Sequence, residues 1–354
     1  MELTTVWFCL VAILWIGYFT LEGFDFGVGM LLPVLARDER ERRVLYNTIG
    51  PVWDGNEVWV LTAGGAIFAS FPFWYATLFS GFYLPLLLIL LALIVRNLAF
   101  EYRGKRNDDT WRRRWDLCAI LGSYVPALLW GVAFANIVGG VPIAPLGDNP
   151  PEPFYLEYTG TLLTLLNPYG LLGGLVTLTL FMTHGAMFVA LKTDGPIRYR
   201  ARALAVRVGL LAAVLAVVFL VWTQIRTGTA VSGVLFAVAA IALLGGLAMA
   251  RAGREGVAFA GTFATIALAV AGLFVALFPD VMPSSIDASY SLTTENASAT
   301  DYTLKVMTIV AAIFTPLVLM YQGWSYWVFR KRISVRHIPD PVDHRPAPSG
   351  TAGA

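Results

Sequence analysis

Four carboxyl groups stand inside stretches of chain that are otherwise apolar enough to lie in a bilayer. Glu22 and Asp25 occur in Glu22-Gly23-Phe24-Asp25-Phe26-Gly27-Val28-Gly29-Met30, and Asp54 and Glu57 in Trp53-Asp54-Gly55-Asn56-Glu57-Val58-Trp59. An ionisable side chain at the centre of a membrane costs about 3 kcal/mol on insertion scales. A chain that keeps four of them in two neighbouring segments has a use for them: moving protons, binding a polar headgroup, or pairing with a cation. Arg96, beside Asn97 in a third apolar stretch, is a cation placed to pair with them. It could equally snorkel to the nearer surface, since its stretch ends about two turns later.

Spacing sharpens the pattern. Residues three apart share a helix face, so Glu22 with Asp25, and Asp54 with Glu57, each form a stripe. A basic hairpin at 37–43 separates the two segments, with Asp25 twelve residues before it and Asp54 eleven after it. At about 1.5 Å per residue both lie roughly 16–18 Å from the hairpin. Antiparallel neighbours would then hold them at similar depth. Gly23, Gly27, Gly29 and Gly55 would let the helices approach closely. Gly50-Pro51 offers the competing geometry: a helix that starts there puts Asp54 in its first turn, where the dipole favours an anion.

The elements that must position these residues follow from composition. Of 354 residues 57% are hydrophobic and 14% charged, with a mean hydropathy of +0.68. Soluble domains carry about 25% charged residues, so the chain is read as a polytopic all-α membrane protein. The net charge of +2 gives no sign of nucleic-acid binding. The N-terminal stretch lacks a basic leader and is longer than a signal-peptide core, so it is expected to remain as a first helix. Cys9 and Cys118 have no metal-ligand spacing and are expected to be buried free thiols. No metal site, Walker loop or dinucleotide fingerprint is found.

A membrane crossing needs about 20 apolar residues. That criterion predicts nine spans, at 5–35, 45–70, 75–101, 116–140, 162–191, 203–225, 230–250, 256–278 and 303–329. Alternate connections hold 22 of the 25 Lys and Arg. The positive-inside rule therefore places the N-terminus outside and the C-terminus inside. The expected units are 1–140, a first four-helix bundle with the polar cluster; 141–278, a second bundle; 279–302, an external loop; 303–332, a peripheral ninth helix; and 333–354, a Pro-rich disordered internal tail. A short echo supports four plus four plus one: Glu22-Gly23 in the first span and His184-Gly185 in the fifth lie at comparable depth. Asn296-Ala297-Ser298 fits a glycosylation sequon but reads as an ordinary loop.

His184 is the single histidine inside a span, and His337 and His344 lie in the tail. With no second histidine and no Cys–Met arrangement near it, the chain offers no bis-axial haem site. His184 reads as a hydrogen-bonded packing residue. The residues alone leave three functions open: a subunit of a membrane redox enzyme, a proton-coupled secondary transporter, or a structural subunit whose carboxylates only pair. An odd number of spans and the lack of a pair of broken helices weigh against the transporter.

Taken in order, the motifs are similar to those of a known family. They are the two quoted above, with Pro51-Val52 preceding the second, then Thr62-Ala63-Gly64-Gly65-Ala66, Phe79-Ser80-Gly81-Phe82-Tyr83 and Gly131-Val132-Ala133-Phe134. Leu166-Asn167-Pro168-Tyr169-Gly170-Leu171-Leu172 and Phe278-Pro279-Asp280-Val281-Met282-Pro283-Ser284-Ser285 follow. The chain resembles subunit II of the cytochrome bd quinol oxidases to about Arg332. The resemblance implies a haem-free subunit paired with a subunit I that carries haem b and haem d. That complex would oxidise quinol and reduce dioxygen to water in the bacterial cytoplasmic membrane. It would take up protons from inside and support respiration at low oxygen. The resemblance also places Asp54, with Glu57, Asp25 and Glu22, on a proton path toward subunit I. It places Asp25, Trp53, Asn56 and Arg96 in a polar cluster or structural quinone site. Glu22 stands where other members often have Asp, and Glu57 where some have Gln. A small single-helix third subunit is left open.

Overall fold

The computed structural model describes residues 2–338. Its helices are α1 (Leu3–Leu35), α2 (Glu39–Ile49), α3 (Trp53–Ser70), α4 (Pro72–Gly81), α5 (Tyr83–Tyr102), α6 (Asp109–Gly139), α7 (Leu162–Leu165), α8 (Pro168–Lys192), α9 (Pro196–Thr227), α10 (Ala230–Arg251), α11 (Glu255–Leu277) and α12 (Asp301–Val328). Among the described residues, eight of these are long and apolar enough to cross a membrane: α1, α5, α6 and α8 to α12. The 18 residues of α3 are not among them, because Asp54, Asn56 and Glu57 crowd its first two turns.

Prolines and caps move several boundaries from their predicted places. The expected span 45–70 is two helices: α2 ends at Ile49, and α3 begins only at Trp53. Pro51 has no N–H to donate, and Val52 leaves helical geometry at φ −131°, so the helix restarts only at Trp53. The expected span 75–101 is also divided, at Phe82, with Pro72 opening α4 and Pro85 in the first turn of α5. Pro is well placed at the start of a helix, where its missing N–H is not needed. α8 starts at Pro168 behind Asn167, whose side chain accepts from the Gly170 N–H at 2.8 Å.

Small residues decide where the helices cross. α1 packs against α3, α6, α8 and α11, and α8 packs also against α6 and α9. At the α1–α8 crossing, a Cβ on Gly27 would lie 2.1 Å from the Phe181 carbonyl oxygen, and one on Gly185 would lie 2.5 Å from Gly27 Cα. Above it, Trp15, Tyr18, Phe19, Trp130 and Phe134 form an edge-to-face aromatic core between α1 and α6. Such pairs add to the stabilisation from burial alone. α12 lies at the edge: it touches α1 and α3, and only 6% of its apolar window is buried. Cys9 is exposed and Cys118 half-buried, so neither is the fully buried thiol expected; Cys9 simply lies on the outward face of α1.

At the end opposite the basic loops, β1 (Ile143–Pro145) pairs antiparallel with β2 (Leu156–Tyr158), Ile143 facing Tyr158. β3 (Asp280–Met282) pairs antiparallel with β4 (Leu292–Thr293) across a bulge, and a Val141–Ser284 bridge joins the two hairpins. Asn296 caps this turn, accepting from the Thr293 N–H at 2.8 Å and donating to the Ser291 carbonyl at 3.0 Å, as expected of a loop residue.

At the basic end, Arg103 grips Asp116 and Glu39, and Arg42 and Tyr46 also donate to Asp116, each at 2.9 Å. Glu255 is held in the same way by Arg198, Arg202 and Arg332. Part of the segment expected to be a disordered tail is docked here. Ile333 bridges to Thr193, Arg40 donates to the Val335 and Ile338 carbonyls at 3.1 and 3.0 Å, and Ile338 is buried. The apolar Ile338 and unpaired carbonyls of that segment find partners on the helix loops, which composition could not reveal. The remainder of the tail, 339–354, lies outside the described residues.

The glycine crossing yields a direct test. Gly27→Val or Gly185→Val should cost about 3 kcal/mol by overpacking against backbone, read as a large fall in the thermal midpoint of the detergent-solubilised protein. Gly245→Val, with no heavy atom within 4 Å of its Cβ, should leave that midpoint nearly unchanged.

Candidate functional site

α1 carries Glu22 and Asp25 one turn apart, and both are fully buried. α5 presents Arg96, also fully buried, and its guanidinium forms an ion pair with Glu22. The rings of Phe26 and Phe100 lie on it, each 4.9 Å from the guanidinium carbon. α6 closes behind: a Cβ on Gly122 would stand 2.6 Å from Arg96 Cβ. Pairing, not snorkelling, is therefore the state of Arg96. Snorkelling would need the side chain to leave a packed interior and strand Glu22 without its cation.

The other carboxyl of the pair is oriented from α3. Asn56 Nδ2 donates to Asp25 Oδ2 at 2.7 Å. Asn56 Oδ1 accepts in turn from Tyr326 at 2.7 Å and Gln322 at 3.3 Å, both on α12. Gln322 also accepts from the Trp59 indole at 2.9 Å. On the flank of α3, Glu57 is half-buried and accepts from Asn97 of α5 at 2.6 Å. Trp53 packs edge-on against Phe100, ring centroids 5.1 Å apart. Several buried atoms in this cluster have no protein hydrogen-bond partner: Glu22 Oε2, Asp25 Oδ1, Arg96 Nε and Nη2, and Asn97 Oδ1.

The structure thus brings Glu22, Asp25, Asn56 and Arg96 together, with Trp53 and Glu57 at the margin. Asp54 is not in the cluster; it is exposed in the first turn of α3. The predicted depth is right, since Asn56, two residues away, meets Asp25. The predicted face is not. With 3.6 residues per turn, a helix that points Asn56 at α1 turns Asp54 about 200° away. Gly55 shares that open face, with nothing within 4 Å of a Cβ, so it serves no close helix approach. The α12 side chains were not foreseen, although Gln322 is the one amide in that helix and lies a single turn from Tyr326. Asn97, next to Arg96, carried a similar signal.

His184 behaves as a packing residue. Its Nδ1 bonds with Thr262 at 2.7 Å, its Nε2 with the Thr20 carbonyl at 3.0 Å, and its ring stacks on Phe259. No group of residues suited to hold a metal ion occurs among the described residues.

A helical, multi-pass membrane protein is thereby defined, with a buried Arg96–Glu22 ion pair and a second buried carboxyl group, Asp25, beside it. Residues 3–329 match the family model for cytochrome bd terminal oxidase subunit II, and the chain belongs to that family. It is 44% identical over 338 residues to cytochrome bd ubiquinol oxidase subunit 2 of Bacillus subtilis, covering 94% of this chain and 97% of that one. Identity to cytochrome bd-I ubiquinol oxidase subunit 2 of Escherichia coli K12 is 37%, covering 94% and 96%. The fold is similar to a chain of the bd oxidase from Geobacillus thermodenitrificans, with TM-score 0.74 at 17% identity, covering 94% of this chain and all of that one. The protein is accordingly a multi-pass cytoplasmic-membrane subunit of a terminal oxidase, an oxidoreductase complex.

Two outcomes follow from the geometry. Arg96→Leu strands the buried Glu22 carboxylate and should cost about 3–5 kcal/mol. The double variant Glu22→Gln with Arg96→Met should recover much of that loss, measured as thermal unfolding of the purified protein. Tyr326→Phe removes one of the two donors to Asn56 and should cost about 1 kcal/mol in the same assay.

Proposed function

We propose that this chain is the haem-free partner of a haem-bearing subunit I in a quinol oxidase, and that it supplies part of the proton path. The reaction of the complex is oxidation of two quinols with reduction of one dioxygen to two water molecules. Four protons must reach the oxygen-reducing haem, and supplying them from inside builds the gradient. The haem b and haem d groups are assigned to subunit I. His184 cannot ligate a haem here without giving up a hydrogen bond at one of its two ring nitrogens.

The observation that carries the proton-path reading is a buried guanidinium paired with Glu22, with a second fully buried carboxyl group, Asp25, one turn away on the same helix. Glu22 and Asp25 can share a proton between them. Arg96 balances the one negative charge that remains. The partnerless donors and acceptors around them suit internal water, which needs two to four polar neighbours and conducts protons between them. A quinone fits less well at Asp25, Trp53 and Arg96. Two rings already lie against the Arg96 guanidinium and α6 closes behind it.

Asp54 belongs to the same reading from the other side of α3. It shares an exposed face with Val58, Leu61 and Phe68. A carboxylate on such a face is costly in lipid, and subunit I covering it would turn it into an intersubunit relay leading toward the haems. In this arrangement α3, about 27 Å long at 1.5 Å per residue, is the ninth crossing. The basic loops face the cytoplasm and the N-terminus faces outward. α1, α3, α5 and α6 make one four-helix unit, α8 to α11 a second, and α12 stands outside both. Family membership removes the reason to keep the transporter alternative.

The test begins with the complex purified from native membranes through a tag on this chain. A reduced-minus-oxidised spectrum with haem b and d bands, and a second membrane subunit on the gel, is expected. In that preparation Asp54→Asn should slow quinol-driven oxygen uptake about tenfold or more with haem content unchanged. Unaltered turnover would remove Asp54 from the path, and loss of haem would mean an assembly role instead.

A further inference from the structure

None of the ionisable residues lines a second feature, a cavity of about 110 Å³ enclosed by α6, α8, α9, α10 and α11, with Phe19 of α1 at its floor. It exists because small residues stand where larger ones would fill the space: Gly131, Ala135, Gly173, Ala213, Ala216 and Ala239. Two hydroxyl-bearing residues, Thr177 and Thr265, also line it. Their hydroxyls are turned to backbone carbonyls, Thr177 to Ala127 at 2.6 Å and Thr265 to Gly261 at 2.8 Å. No polar atom reaches the cavity surface. Water held there would have none of the partners it needs, so the cavity is dry.

Its rim and floor differ in exposure. Val217 of α9 and Leu244 of α10 are 49% and 55% exposed, whereas Val176 and Leu180 of α8 are 8% and 6% exposed. α8 is the most enclosed of the candidate spans, with 72% of its window buried. The hollow therefore opens sideways between α9 and α10 and reaches inward to the central helix. The lining stretches of α9, α10 and α11 lie about 6–21 Å from the helix ends opposite the basic loops. That depth runs from the hydrocarbon of the leaflet on that side to just past the bilayer midplane, about 15 Å in.

We propose that this cavity is a binding site for one acyl chain of a phospholipid from the leaflet opposite the basic loops, the outer one in the orientation given above. The medium at its mouth is liquid hydrocarbon, and an unfilled hollow in a packed interior forfeits the dispersion contacts of its whole lining. A flexible methylene chain follows an irregular lining of alanines and glycines. The chain wedges between α9 and α10 and packs against α8, joining helices that small residues leave apart. The site is independent of the proton-path reading; only the naming of the leaflet depends on the orientation.

The test uses the complex as purified, placed in nanodiscs of a phosphatidylglycerol whose acyl chain carries a mid-chain diazirine. After irradiation, labelled positions are mapped by peptide mass spectrometry. Labels are expected on the floor residues Val176 and Leu180 as well as on the rim residues Val217 and Leu244. Ala216→Phe fills the cavity and should lower floor labelling at least tenfold while rim labelling persists. Ala239→Leu serves the same purpose should the first variant fail to assemble. Labelling confined to the rim, or floor labelling unchanged in both variants, overturns the proposal. So does floor labelling that a tenfold excess of long-chain quinone abolishes, which would give the site to a prenyl tail.

Discussion

A guanidinium and a carboxylate sealed from bulk solvent organise this protein. Neither Arg96 nor Glu22 has any solvent exposure, so separating them would leave a bare charge in a medium of low dielectric. That cost fixes α5 against α1. It also dictates the surroundings. Phe26 and Phe100 both lie against the guanidinium, Gly122 lets α6 close behind it, and Asp25 needs Asn56 to give its carboxyl a donor. The Asn56 amide oxygen in turn needs donors, which α12 supplies through Tyr326 and Gln322. A helix almost without buried surface is thus tied into the most buried part of the molecule by polar bonds.

The attachment of α12 is repeated along its length by interactions of the same kind. Near its start, the Trp7 indole donates to Thr308 at 3.0 Å and to the Leu304 carbonyl at 3.3 Å. Beyond its end, residues 330–338 run across the basic loops, where Arg332 donates to the Leu191 carbonyl and pairs with Glu255. Apolar packing between helices gives little specificity in lipid, because lipid chains are as apolar as the side chains they replace. Directional polar bonds at three levels give α12 a single position.

The two segments that echo each other in sequence are also packed together. The helices that bear Glu22-Gly23 and His184-Gly185 cross each other, so the two motifs meet: Gly185 lies on Gly27, and His184 bonds with the Thr20 carbonyl. At the basic end, Asp116 of α6 and Glu255 of α11 play matching parts. Each is nearly buried and each is held by more than one arginine, Asp116 by Arg103 and Arg42, and Glu255 by Arg198 and Arg202 of α9 and by Arg332.

Much of the architecture was legible in the chain because it depends on sums over many residues. Hydropathy located the long helices, and the alternation of basic loops set an expected topology. Ionisable residues in apolar runs, Glu22, Asp25 and Arg96 among them, pointed to the polar cluster, since their cost in lipid is independent of the fold. What the sequence left undecided depends on angle and contact. A helix boundary moved by Pro51 turned Asp54 outward and Asn56 inward, a rotation no composition average detects. The choice between pairing and snorkelling for Arg96, the reach of Gln322 and Tyr326 across 266 and 270 residues of chain, and the docking of Ile333 and Ile338 are long-range facts. They are set by which faces the packed helices present to one another, and only the tertiary structure decides them.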